Sequence, residues 1–78
     1  MTSLLLAVVN EVRVNKGQPP LDALVASLSW REDIGFESLD LAELTVRIEE
    51  KFGVDVFADG IVSTVGEVMR KIEKAGRT

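Results

Sequence analysis

The fold is decided by residues 30–52, which read WREDIGFESLDLAELTVRIEEKF. From position 38 onward, apolar residues recur at the spacing of one helical face, and charged residues fall between them. The residues of that face are Leu41, Leu44, Ile48 and Phe52. Ser38 stands where an N-cap residue is preferred, and Gly53 follows as a residue that ends helices. The pattern predicts a helix over 38–52 that buries one face.

Two flanking segments show the same helical spacing. Over residues 3–16 the apolar positions are Leu5, Val8, Val9 and Val12, and Gly17 follows as a stop signal. Thr64 and Glu67 form the T-x-x-E pattern of a capping box, which predicts a last helix to about residue 75, ended by Gly76. The chain is therefore predicted to hold three main helices and no convincing strand.

The connection between the first two helices is about 20 residues long, which is unusual for a loop without structure of its own. Glycine and proline break the chain over 17–20, and helical spacing then returns at Leu21, Leu24, Val25 and Leu28. We expect a short helix or helical turn near 20–28. Three large apolar residues should pin the rest of the connection to the core: Trp30, Ile34 and Phe36. Residues 59–62 can form about one further turn at most.

These elements predict an all-α fold, a small helical bundle of three main helices plus one or two short ones, with a long first loop. The 78 residues are expected to make one domain, 1–78. Six consecutive apolar residues over 4–9 are too few to span a membrane, and no basic segment precedes them. We therefore expect a monomer in the cytoplasm.

The composition excludes several kinds of site. The chain has no cysteine and no histidine, so it cannot form a disulfide, a Cys/His zinc site or a Cys or His nucleophile system. Two pairs of carboxylates, Glu32-Asp33 and Glu49-Glu50, are sequence neighbours, and adjacent helical residues do not face each other. We predict no catalytic residue, no metal site and no enzymatic activity.

The negative charge is concentrated in the middle of the chain. The net charge is −4, yet residues 32–59 hold nine carboxylates and two basic side chains. Such a surface disfavours nucleic acid and anionic lipid as partners, and it favours a basic protein partner or divalent cations. A solvated helix face is the alternative interpretation.

Together, these residues resemble the acyl carrier protein family. The family pattern is an aromatic residue, two variable positions, D-L-G-x-D-S-L-D, x-x-E-L, and an acidic helix that ends E-E-x-F. This chain has Trp30, then DIGFESLD over 33–40, EL at 43–44 and EEKF over 49–52. STVGEV over 63–68 is similar to the beginning of the family's last helix, so the resemblance covers nearly the whole chain.

The resemblance implies that Ser38 receives a 4′-phosphopantetheine arm from coenzyme A through a magnesium-dependent phosphopantetheinyl transferase. The arm would carry acyl intermediates as thioesters between enzymes of fatty-acid, lipid or polyketide-type biosynthesis. A chain without cysteine must import its thiol, and a phosphate at a helix start meets free backbone N–H groups. The alternative function is an unmodified helical protein-interaction module with the same fold.

The resemblance also implies that acyl-loading and acyl-processing enzymes dock through basic patches on the acidic helix. The predicted docking residues are Glu37, Leu39, Asp40, Glu43, Val46, Glu49 and Glu50. Such attraction mainly speeds encounter and weakens with salt. Burying an acyl cargo inside the bundle would contribute about 0.8 kcal/mol per methylene, and the sequence leaves open whether the interior can hold it.

Three features depart from the family pattern. Glu37 replaces the usual aspartate before the serine, and Arg47 and Lys51 interrupt the acidic helix face. The segment over 53–63 is short, so we expect the third helix of the family to be reduced. These departures indicate a specialised member that serves a dedicated pathway.

Overall fold

The computed structural model describes residues 2–56 and 62–76, and there the chain forms three helices. In chain order they are α1 (Thr2–Asn15), α2 (Ser38–Phe52) and α3 (Val65–Gly76). These residues include no strand, and their sheet-like pairing is one antiparallel bridge between Ser29 and Thr64. The predicted all-α bundle of three main helices is therefore confirmed. The turn predicted over 59–62, and with it the reduced third helix, falls largely outside the described residues.

One continuous cluster of apolar side chains fills the space between the helices and the long first loop. The helices contribute Leu5, Val8, Val9 and Val12 from α1, Leu41, Leu44 and Ile48 from α2, and Val65, Val68 and Ile72 from α3. The loop contributes Leu24, Trp30, Ile34 and Phe36. The predicted anchoring of the loop is thus confirmed. No polar or charged side chain of the described residues is buried, so burial of apolar surface is the main stabilising contribution.

Of the two alternatives predicted near 20–28, the short helix is wrong, because the loop between α1 and α2 contains turns and no helix. One of these turns is closed by a hydrogen bond from the Leu28 N–H to the Val25 carbonyl at 3.1 Å. Residues outside the loop form hydrogen bonds with its backbone N–H and carbonyl groups. The Asn10 side chain bonds Leu21 in both directions: Nδ2 donates to the carbonyl at 3.0 Å, and Oδ1 accepts from the N–H at 2.7 Å. Leu24 is buried, but Val25 is 57% exposed. The helical spacing of these residues therefore does not mark one buried face.

The same loop closes the N-terminal end of α3. The N–H of Val65 donates to the carbonyl of Leu28, and the N–H of Gly66 donates to the carbonyl of Ala26, both at 2.9 Å. A Cβ atom on Gly66 would lie 3.0 Å from the Cβ of Ala26 and 3.1 Å from its carbonyl oxygen. Glycine is therefore what allows the loop to approach α3 closely enough to bond its first N–H groups.

Candidate functional site

Ser38 is the first residue of α2, and its side chain is exposed. The N-cap is Glu37, whose backbone is extended with φ −100° and ψ −178°, so the prediction that Ser38 caps the helix is wrong by one position. The Asp40 carboxylate accepts a hydrogen bond from the Glu37 N–H at 2.8 Å, which sets the helix start at this point. Since Glu37 and Asp40 form the cap, the hydroxyl of Ser38 faces solvent.

The turn leading into α2 is held by Lys16, which follows the end of α1. Its Nζ donates to the Gly35 carbonyl at 2.9 Å and to Asp40 Oδ2 at 2.6 Å, and it lies 5.9 Å from the centroid of the Phe36 ring. Gly35 has φ +82°, a conformation that favours glycine. The hydrogen bond from the Glu37 N–H, and then the bond to Lys16, lower the pKa of Asp40. The carboxylate is therefore charged at neutral pH, as both bonds require.

Arg13 and a stacked aromatic pair hold the loop that precedes this turn. Arg13 donates to the Ile34 carbonyl at 2.5 Å and to the Pro19 carbonyl at 2.8 Å. The rings of Trp30 and Phe36 stack with centroids 6.1 Å apart and an interplanar angle of 11°. Sequence reasoning gives no role to Arg13 or Lys16, because basic residues near the end of a helix equally suit its dipole.

A solvent-open recess of about 560 Å³ lies beside the hydroxyl of Ser38. Its lining residues are Arg31, Gly35, Phe36, Glu37, Ser38 and Leu39. The guanidinium of Arg31 reaches the serine, with Nη2 donating to Oγ at 3.3 Å. Leu39 is 85% exposed. The recess thus combines a primary hydroxyl, a positive charge and an exposed apolar side chain at one helix start.

This arrangement suits a serine hydroxyl that is modified by a separate enzyme. The capping box uses the Asp40 N–H, which bonds the Glu37 side chain. The N–H groups of Ser38 and Leu39 before it have no carbonyl partner within the helix, and together with the helix dipole they favour an anion at this end. The chain has no histidine to act as the general base that usually activates a serine nucleophile. The site can therefore present the hydroxyl, and it can hold a phosphate once one is attached.

The structure divides the predicted docking residues into two groups. One group is exposed on the side of α2 away from the core: Glu37, Leu39, Val46, Glu49 and Glu50. The other group is engaged within the molecule. Asp40 binds Lys16, and Glu43 accepts from Arg47 Nε at 2.9 Å and from Asn15 Nδ2 at 3.5 Å.

Arg47 belongs to a small charge cluster between α1 and α2. Besides Glu43, its guanidinium bonds Glu11 Oε2 through Nη1 at 2.5 Å. Two carboxylates therefore face this one cation, and its positive charge is compensated within the protein. The acidic character of the exposed side of α2 is reduced less by Arg47 than its place in the sequence predicts.

A second recess, of about 470 Å³, lies between the loop, α2 and the segment before α3. Its lining residues are Ser29, Trp30, Arg31, Glu32, Leu41, Val62 and Ser63. The indole N–H of Trp30 is buried and has no hydrogen-bond partner among the described residues. At this recess, the core side chains of Trp30, Leu41 and Val62 border open space beside α2.

Among residues 2–56 and 62–76, no group of three or more acidic side chains is placed to hold a metal ion. No helix in those ranges is long and apolar enough to cross a membrane.

Comparison with known protein families gives a match over most of the chain. A family model described as a phosphopantetheine attachment site matches residues 4–72. The matched range includes Ser38 and almost all of the three helices. No solved structure matches the chain.

Proposed function

The chain belongs to the family of phosphopantetheine-attachment domains, and from this premise we propose that Ser38 Oγ is the atom that bears the arm. The family carries 4′-phosphopantetheine covalently and serves as a carrier. In the transfer, Ser38 Oγ would form a bond to the phosphorus of the pantetheine phosphate. The bond between that phosphorus and the nucleotide half of coenzyme A would break, and the hydroxyl proton would leave to the transferase or to water.

The exposure of the Ser38 hydroxyl at the first position of α2 carries this proposal. Three other serines of the matched range, Ser27, Ser29 and Ser63, lie in loops. Ser29 Oγ already accepts a hydrogen bond from the Glu32 N–H at 3.1 Å. Ser38 instead has an open recess beside it and the free N–H groups of a helix start to receive the phosphate.

The test is the intact mass of the protein after co-expression with a phosphopantetheinyl transferase. We expect the wild type to gain the mass of one arm, and Ser38→Ala to gain none. Ser63→Ala is the matched control, because Ser63 is also exposed and precedes a helix, and it should load like the wild type. Loading of Ser38→Ala would refute the assignment. Failure of several transferases to modify the wild type would favour the alternative, an unmodified interaction module.

We further propose that partners dock on the exposed side of α2. The docking face consists of Glu37, Leu39, Val46, Glu49 and Glu50. Asp40 and Glu43 contribute indirectly, through their ion pairs with Lys16 and Arg47. A transferase or acyl-processing enzyme with a basic patch would be steered there, and screening by salt would slow the encounter. Glu49→Lys should therefore lower the loading rate most strongly at low salt, whereas Glu73→Lys, on exposed α3 surface, should change it less.

The proposed cargo is an acyl group held as a thioester on the arm and passed between enzymes of fatty-acid, lipid or polyketide-type biosynthesis. The recess bordered by Trp30, Leu41 and Val62 supports transient shelter of such a chain, since its walls include core side chains. The carrier itself would not turn over substrate, and the cytoplasm and a monomeric state stay predictions. Assaying the loaded protein against purified acyl-loading enzymes from each pathway would identify its partners.

A further inference from the structure

Arg31 carries a charge that no carboxylate neutralises within the part of the chain that the structure describes. Its guanidinium donates one hydrogen bond, from Nη2 to Ser38 Oγ at 3.3 Å. It forms no ion pair with any carboxylate among residues 2–56 and 62–76. The nearby carboxylate of Asp33 is engaged with the backbone instead, because its Oδ2 accepts a hydrogen bond from the Ser29 N–H at 2.7 Å. The guanidinium therefore contacts a neutral hydroxyl and has no anionic partner among these residues.

The position of Arg31 is fixed by the turn that bears it. Trp30 before it and Ile34 after it are each 1% exposed. The N–H groups of Asp33 and Ile34 both donate to the Ser29 carbonyl, at 3.1 Å and 3.0 Å. The backbone of Arg31 is therefore anchored in the core on both sides, and its side chain extends over the recess next to α2.

We propose that Arg31 binds the phosphodiester of the arm attached to Ser38. This inference rests on the proposed function, because it requires the phosphorus to be bonded to Ser38 Oγ. In that phosphodiester, phosphorus is bonded to Oγ, and the two non-bridging oxygens on phosphorus lie two bonds from Oγ and share the negative charge of the group. A guanidinium already within hydrogen-bonding distance of Oγ needs little movement to donate to one or both of them, the geometry in which arginine binds phosphate most strongly.

Such binding would fix the direction in which the arm leaves Ser38. With the phosphodiester held between Arg31 and the first N–H groups of α2, the root of the arm lies along the recess beside Phe36 and Leu39. Arg31 is thus a positioning residue, since it acts on the arm and not on the thioester. The effect is electrostatic at an exposed site, so it should weaken as salt rises.

The experiment uses holo protein and the phosphorus nucleus of the arm as its reporter. Wild type, Arg31→Gln, Arg31→Lys and Arg70→Gln are loaded, and intact mass shows whether each one bears the arm. Arg70→Gln is the matched control, because Arg70 is an exposed arginine of α3 that lines a different recess. The ³¹P chemical shift is then followed from low salt to about 1 M NaCl, where the screening length falls to about 3 Å.

We expect the ³¹P resonances of wild type and Arg70→Gln to move together as salt is added. Arg31→Gln should begin near their high-salt position and move little, and Arg31→Lys should lie between. The Arg31 Nε–H resonance of the wild type should also differ between apo and holo forms. Identical ³¹P titrations of loaded wild type and Arg31→Gln would overturn the role of Arg31 while leaving the attachment at Ser38 intact. Absence of the arm from Ser38 in the wild type would instead overturn the proposed function.

Discussion

The first residues of α2 and of α3 are both helix starts, and the protein treats them in opposite ways. At α3, the carbonyls of Leu28 and Ala26 accept the N–H groups of Val65 and Gly66. At α2, the cap is made by local residues, and Ser38 is left exposed beside a solvent-open recess. One end is closed by the protein's own backbone, and the other is open to a ligand.

The difference shows how the same local property can serve structure or function. Every helix start presents N–H groups without intrahelical partners. Where another segment supplies carbonyl oxygens, the helix start joins two parts of the fold, as α3 joins the long loop. Where only local side chains cap the helix start, its dipole and the N–H groups that the cap leaves free remain available to an anion. A serine placed at the open end is therefore in a position to bear a phosphate, whereas a serine at the closed end is not.

Gly66→Ala should break the closed end, and it has the largest expected effect. The new Cβ would lie 3.0 Å from the Ala26 Cβ and 3.1 Å from the Ala26 carbonyl oxygen, so it would push the loop away and weaken two hydrogen bonds. We expect the free energy of unfolding to fall by about 2 kcal/mol, within the range of overpacking, measured by urea denaturation.

The matched control is Gly66→Ala combined with Ala26→Gly, which removes one of the two close contacts and should recover part of the loss. Loading at Ser38 should continue in both variants, because the open end does not share these contacts. A fully stable Gly66→Ala protein would show that the loop can retreat from α3 without consequence.

Asp40→Asn should weaken the support of the open end by about 1 kcal/mol, a typical value for a partly exposed ion pair. Its effect should depend on pH in a defined direction. Because the folded-state pKa of Asp40 is lowered below its usual value of 3.8, the charged carboxylate stabilises the fold above that value. The contribution is lost as the pH falls through the lower folded-state pKa.

The measurement is the free energy of unfolding as the pH is lowered from neutral. Asp40→Asn should lack the part of the acid dependence that Asp40 contributes. Lys16→Met should retain the carboxylate but raise its pKa toward the usual value, so its acid dependence should be intermediate. Wild type and Asp40→Asn losing stability in parallel over the acid range would contradict this account.

Thr64→Ala should have a smaller effect on the closed end, about 0.5 kcal/mol, at the low end of the range for capping residues. The Glu67 N–H donates to Thr64 Oγ1 at a long 3.4 Å, and the loop carbonyls already satisfy two neighbouring N–H groups. Thermal or urea unfolding would measure the loss, with Ser63→Ala as the neighbouring control. A loss of about 2 kcal/mol, the upper limit for such a cap, would mean that the side chain closes this end more than the loop does.

The smallest expected effect is that of divalent cations on the exposed carboxylates of α2. Millimolar Mg²⁺ or Ca²⁺ should raise the thermal midpoint slightly by relieving repulsion among the carboxylates of α2. Asp40 and Glu43 are already paired with Lys16 and Arg47, which leaves mainly Glu49 and Glu50 to respond. The comparison is with NaCl of equal ionic strength, and Glu49→Gln should reduce the rise. A response no larger than that of NaCl would show that these carboxylates lie too far apart to interact.

The helices are the part of the fold that local sequence predicts well. The bounds predicted for α2, 38–52, agree with the structure because its end signal is local: Gly53 adopts φ +70° and its N–H bonds the Glu49 carbonyl at 2.8 Å. The anchoring of the long loop is predicted correctly, but the short helix expected in its first half is not, because the conformation there depends on distant partners. The spacing of Leu21 and Leu28 does not reveal that Asn10 and α3 form hydrogen bonds with the backbone of these residues.

The site divides in the same way. Ser38 and most of the docking face follow from a contiguous motif, so the sequence suffices to find them. The cap at Glu37 escapes prediction because the glutamate and Asp40 reverse the usual order of a capping box. Lys16 approaches the start of α2 from the end of α1, and Arg31 lies seven residues before Ser38 on a turn whose direction the motif does not reveal. Their roles become visible when the distances to Asp40 and Ser38 are known.

The two bonds that close α3 also give the molecule a pair of natural reporters. The amide protons of Val65 and Gly66 can exchange with deuterium when residues 26–28 detach, so their exchange rates measure the frequency of that local opening. The Trp30 N–H, which donates to the Ser63 carbonyl at 3.1 Å, lies beside the recess bordered by Trp30, Leu41 and Val62, so its exchange would report separately on opening at that recess. Comparing the three amides in the unloaded, loaded and acyl-bearing protein would show which of the two openings responds to cargo.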